Sequence, residues 1–110
     1  MAGAQVAALI WCPFPDEASA REAAGSLLDR KLVACANILP SMTSLFLWEG
    51  KRSESGEVGV IFKTTQAGLD AAIAALDAHH PYDNPAILGW HADAATPATL
   101  AWLSAIVTTE

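Results

Sequence analysis

The hydrophobic period of this chain switches in a fixed order, and that order restricts the fold more than any single motif does. Residues 5–11 form a short, nearly unbroken apolar run, as expected of a strand buried on both faces. Behind Asp16, a good N-cap, Ala20, Ala23, Ala24, Leu27 and Leu28 recur at helical spacing. Residues 32–39 and 43–48 read as one long strand interrupted at Pro40-Ser41, where a missing N–H favours a bulge or an edge. The polar run 49–56 turns the chain, and residues 57–65 return with Val58, Val60 and Phe62 on one face, so a long hairpin is predicted. Leu69, Ala72, Ile73 and Leu76 mark a second helix that His79-His80-Pro81 stops. Residues 86–92 supply a fourth strand. Thr96-Pro97 then opens a last helix with Leu100, Leu103 and Val107 on its inner side.

This βαββαβ order plus a helix predicts an α+β, ferredoxin-like sandwich in a single domain over residues 1–110. Two crossover helices cover one face of such a sheet and leave the other bare. A hairpin longer than its neighbours also presents unpaired edge groups, which favour pairing with another chain. Composition agrees: 53% of residues are hydrophobic and 16% are charged, against about 25% charged in an ordinary soluble domain. Ala accounts for much of that content and marks helix faces, whereas the bulky remainder, four Trp among it, calls for covered surface. Self-association is therefore expected.

The formal charge of −6 repels phosphate backbones, and no basic stripe offsets it, so no nucleic-acid partner is expected. The longest apolar stretch, residues 6–14, falls well short of the ~20 residues that cross a bilayer, and it has neither a basic leader nor a cleavage site. No membrane partner is expected either. Two cysteines without CxxC spacing suit a reducing compartment, which points to the cytoplasm.

Several motifs occur in one order at compatible spacings. They are Ala34-Cys35-Ala36-Asn37-Ile38, Pro40, Ser44, Trp48-Glu49-Gly50-Lys51, Glu57-Val58, Lys63-Thr64, His80-Pro81-Tyr82, Pro85 and Leu100 with Trp102. Together, from about residue 6 to residue 107, the chain resembles the CutA divalent-cation-tolerance family. The resemblance implies a ferredoxin-like subunit in a homotrimer shaped like the PII signalling proteins, and a role in tolerance of copper and other divalent cations. It also implies copper ligands at Cys12, His79 and His80. Thiolate and imidazole suit copper, yet Cys12 ends a buried strand, where a free Cys behaves as a small hydrophobe. The two His close a helix, where imidazole favours the dipole without any metal. Both readings stand.

Glu57, Lys63, Tyr82 and Asp83 either line a crevice between subunits or fix the trimer's register through polar contacts. Trp48 and Trp102 are expected to anchor the interface or the core. The chain departs from the family at Ala86, where an acidic residue commonly follows the Pro, and at Thr99, where Tyr is usual. No nucleophile with its base, HExxH, GxSxG or P-loop occurs, so catalysis is not expected. Three functions remain open: a copper-binding or similar cation-tolerance protein, a PII-like sensor of a small molecule or nucleotide, and a trimeric interaction scaffold without a ligand.

Overall fold

Each helix starts where the sequence places a capping side chain. The Asp16 carboxylate accepts the Ser19 N–H, the Thr65 hydroxyl accepts the Gly68 N–H, and the Thr96 hydroxyl accepts the Thr99 N–H. Each satisfies a donor that the first turn leaves without a helical partner. The computed structural model describes residues 5–108. It runs β1 (Ala7–Phe14), α1 (Glu17–Asp29), β2 (Cys35–Trp48), β3 (Lys51–Thr65), α2 (Gln66–His79), β4 (Leu88–His91) and α3 (Pro97–Ile106). The strands make one antiparallel sheet in the order β2-β3-β1-β4. Each helical crossover passes over one strand, which is the ferredoxin-like arrangement.

Alternation along the central strands sorts the two faces. Ala8, Ile10, Cys12 and Phe14 of β1 and Val58, Val60, Phe62 and Thr64 of β3 are buried. The hydrophobic members of this set pack with Ala20, Ala23, Ala24 and Leu27 of α1 and Leu69, Ala72 and Leu76 of α2 in one core. The Thr64 hydroxyl, fully buried, donates to the Leu32 carbonyl at 2.8 Å and ties the exit of α1 to β3. The opposite sheet face carries Trp11, Leu39, Leu88 and Trp90. The last three are exposed, and the Trp11 ring lies where a side chain at Gly59 would otherwise stand. α3 reaches β3 and buries Leu103 and Val107 outside the main core, with Val107 against Gly68.

Five boundaries or orientations differ from the sequence expectation. β1 continues through Pro13 to Phe14. The Pro13 carbonyl receives His80 Nε2, so the backbone of this residue faces the side beyond the end of β4, where no ladder donor is needed. Residues 32–34 belong to the exit of α1 and not to β2. Leu32 and Lys31 donate to the Leu27 and Leu28 carbonyls, with Lys31 at φ 58° in the left-handed position of a Schellman-type cap. β3 begins at Lys51, because Glu49 and Gly50, both at positive φ, make a two-residue turn. That turn has the backbone twist of a hairpin, and the polar run 51–56 becomes strand. β4 is shorter than 86–92, since Ile87 donates back to the Pro85 carbonyl in a tight turn. Leu28, at the edge of the α1 apolar arc, is exposed. The interruption at Pro40-Ser41 is present as a register shift between Leu39 and Met42, with Ser41 at φ 57°.

Because β1 pairs only with Val58–Thr65 of β3, residues 42–48 and 51–57 project as a two-stranded ribbon. The molecule is accordingly elongated, 50 × 26 × 22 Å. Leu45, Phe46, Leu47 and Trp48 are exposed on that ribbon, Leu47 by 78% and Trp48 by 58%.

Candidate functional site

A cleft of about 840 Å³ lies between this ribbon and the segment that follows α2. Ribbon alternation supplies one wall: Ser44, Phe46 and Trp48 from β2, with Ser55 and Glu57 from β3. The other wall comes from Pro13 and from Pro81, Tyr82, Asp83, Asn84 and Ala86. The Tyr82 hydroxyl donates to Glu57 Oε2 at 2.7 Å and joins the two walls. Burial, with the hydrogen bond to Glu57 and its charge behind it, pushes the Tyr82 phenol up to about 12. It is therefore a protonated donor at neutral pH.

Four residues singled out from the sequence, Trp48, Glu57, Tyr82 and Asp83, are thus brought together. Lys63 and Trp102 are not. Lys63 pairs with Leu9 and Cys35 on the outer sheet face, and Trp102 stands partly exposed on α3. Strand alternation puts Lys63 six residues from Glu57 along β3, on the same face but beyond the ribbon. Ser44 was read only as a motif position, and Phe46 and Ser55 were missed, although the period of two that places Trp48 and Glu57 on this face also selects all three. Ala86 lines the cleft and adds no carboxylate to this wall. Thr99 is engaged in the α3 cap, where it receives the Thr96 hydroxyl at 2.9 Å.

Of the expected copper ligands, Cys12 and His80 meet at the Pro13 carbonyl, 3.8 Å from the Cys12 sulfur and 2.8 Å from His80 Nε2, while His79 stands apart from them. Cys12 is 0% exposed, and burial, then the Glu57 charge, pushes its thiol up to about 12. Burial favours the protonated form of this sulfur, and a metal would have to displace that proton to bind it. His80, 8% exposed, stacks on Phe14 at a 4.4 Å centroid separation. Its Nε2 lies 2.8 Å from the Pro13 carbonyl and its Nδ1 accepts the Tyr82 N–H at 3.1 Å. Those bonds assign a neutral ring with the proton on Nε2 and occupy both nitrogens. His79 turns the other way, with Nε2 3.9 Å from Glu22 Oε1 of α1. Among the described residues no group of three His, Cys, Asp or Glu side chains stands ready to hold a metal ion. Within one chain the core thiol of Cys12 and the buried ring of His80 lie near each other, and the surface His79 is parted from them because adjacent residues at a helix end point apart.

No helix among the described residues is long and apolar enough to cross a membrane. Comparison with known proteins bears on residues 8–106, which match the family model for the CutA1 divalent ion tolerance protein. A divalent-cation tolerance protein CutA from Salmonella newport (strain SL254) is 42% identical over 99 residues, covering 90% of this chain and 86% of that protein. The crystal structure of CutA1 from Oryza sativa superposes with a TM-score of 0.91 at 29% identity, covering 98% of this chain and all of the other. The divalent ion tolerance protein CutA1 from Ehrlichia chaffeensis does so with a TM-score of 0.89 at 31% identity, over 94% and 97% of the two chains. With matched residues reaching from β1 to the end of α3, and the same ferredoxin-like sheet beneath them, this chain belongs to the CutA1 divalent ion tolerance family.

Proposed function

We propose that the chain acts in divalent-cation tolerance as one subunit of a cytoplasmic homotrimer, binding and presenting surface without catalysing a reaction. The observation that carries this reading is the exposure of Leu45, Phe46, Leu47 and Trp48 on the ribbon, with Leu88 and Trp90 on the outer sheet face. Such a surface costs free energy in water, at about 25 cal/mol per Å² of apolar area. Neighbouring subunits laid on it remove that cost; the number three comes from the family resemblance. Two free cysteines, Cys12 and Cys35, support the reducing compartment. Copper or a related divalent cation is the proposed metal. Since Cys12 and His80 are committed to the core, His79 is the member of the triad open to it. Light scattering of tag-free protein tests the assembly, and a monomer at micromolar concentration would overturn it. Copper titration tests the ligand: His79→Ala should lower the stoichiometry, while Cys12→Ser should leave it unchanged.

A second reading, a sensor that binds a small molecule, is favoured by the cleft between Trp48 and Tyr82, whose volume lies in the range of small-ligand sites. It predicts a rise in melting temperature with some small molecule that fills the cleft.

A further inference from the structure

We infer that the cleft is completed by a second copy of this chain: Lys63 of the partner subunit enters it and pairs with Glu57 and Asp83, while the partner's outer sheet face covers Phe46 and Trp48. This rests on the homotrimer proposed above and goes on to name the contact that sets its register.

The cleft is lined by two carboxylates and by no Lys, Arg or His. The Tyr82 hydroxyl holds Oε2 of Glu57, and a carboxylate accepts at both oxygens, so Glu57 retains an acceptor for a second donor. The opposite imbalance stands on the outer sheet face. Phe62 and Thr64 are buried on the helix side, so Lys63 between them points the other way, among the apolar Trp11, Leu39, Leu88 and Trp90. Its cross-strand neighbours Leu9 and Cys35 offer it no carboxylate, and among the described residues it makes no ion pair. Lys63 is half-buried, as is Glu57, and water serves both while the chain is alone. A copy laid over either one strips that water, and a charge shut in without a counter-charge costs far more than a paired one.

The two patches match in pattern as well as in charge. The cleft side of the ribbon carries Phe46 and Trp48 with carboxylates at its base; the outer face carries Leu88 and Trp90 with an ammonium. A ribbon laid on a ribbon, or an outer face on an outer face, sets like charges together, whereas a ribbon laid on an outer face joins opposite ones. The other basic residues serve less well. Arg21 is paired with Glu17, Arg30 and Lys31 lie at the end of α1, and Lys51 and Arg52 stand exposed at the tip of the ribbon. Apolar area then drives the association, and the ion pair selects which patch meets which.

Zero-length carbodiimide coupling of the tag-free protein at micromolar concentration tests the inference, because it joins an ammonium to a carboxylate only where the two are in contact. Products at about two and three times 11.5 kDa are expected on a denaturing gel, with peptide mass spectrometry finding Lys63 joined to Glu57 or Asp83. Glu57 lies six residues from Lys63 along its own strand, about 20 Å, so a link between these two forms only between copies. Lys63→Glu and Glu57→Lys should each raise the concentration at which the assembly half-dissociates by about tenfold or more. The doubly swapped chain should bring it back towards the original value, with helix content checked by circular dichroism. An assembled protein in which Lys63 is linked elsewhere, or not at all, overturns the inference and leaves the homotrimer standing. A folded doubly swapped chain that does not recover assembly overturns it too; where that chain does not fold, coupling of the unaltered protein decides. A monomer at micromolar concentration overturns the inference and the homotrimer together.

Discussion

At Cys12 the same residue type supports two opposite chemistries, and its surroundings choose between them. A thiol on a solvated strand end is a copper ligand; one buried between β1, β3 and the helices is packing. Its ordinary value of 9.0 rises to about 12 in the fold, so the unfolded chain releases this proton first. Between those values the unfolded state binds fewer protons than the native one, and stability falls as pH rises. The melting temperature should therefore drop across pH 9.0 to about 12, and Cys12→Ala should flatten part of that drop relative to its own value at pH 7. An equal drop in the variant would assign the effect to other groups, Tyr82 first. Lys31 illustrates a different residue-scale effect. At φ 58° it occupies a conformation that costs an L-residue energy and that Gly adopts freely. Lys31→Gly should raise stability by about 0.5–1 kcal/mol, as denaturant unfolding would show.

Among the elements, the β2–β3 hairpin departs furthest from what its composition suggests. Residues 51–56 are polar and contain a Gly, the mark of a loop, yet they are strand because the turn closes in two residues at Glu49-Gly50. The strand register from Lys51↔Trp48 onward follows from that turn. Gly50, at φ 78°, is the position that permits it, so Gly50→Ala should cost about 1 kcal/mol. Gly59 works by close approach instead: any side chain there meets the Trp11 ring on the outer face. Gly59→Val should displace that ring, shift the tryptophan emission and destabilise the fold by about 1–3 kcal/mol. A variant with unchanged emission and stability would show that the ring has room to move.

At the scale of the molecule, the helix face of the sheet is closed and the ribbon and outer face are open. In the proposed homotrimer, burying the ribbon between copies would account for a short chain with few charges that exposes Leu45, Leu47 and Trp48 when alone. Leu45→Glu with Leu47→Glu, on one face of the ribbon and away from the core, should convert the proposed homotrimer, about three times 11.5 kDa, into monomer with its helix content retained. Retention of the larger mass would place the contact on the outer sheet face instead. The ribbon forms one wall of the cleft, so the proposed homotrimer would cover that wall.

Element order, the caps at Asp16 and Thr96 and the bulge at Pro40-Ser41 were legible along the chain because they rest on local rules: periodicity, a side-chain acceptor at a helix start, a missing N–H; the Thr65 cap of α2 was read only as the end of a strand. Trp48, Glu57, Tyr82 and Asp83 were legible as a set through the family motifs, but nothing local says that Tyr82 reaches across 25 residues to Glu57. For Cys12 the sequence left core thiol and copper ligand both open, and the contacts of His80 were not legible. His80 is read from contacts with Pro13, 67 residues away, and with Phe14, and a thiol's ionisation follows from what buries it. Backbone patterning is decided by neighbours in sequence, whereas hydrogen-bond partners, burial and the charge in a cleft are decided by neighbours in space, which exist only once the chain has folded.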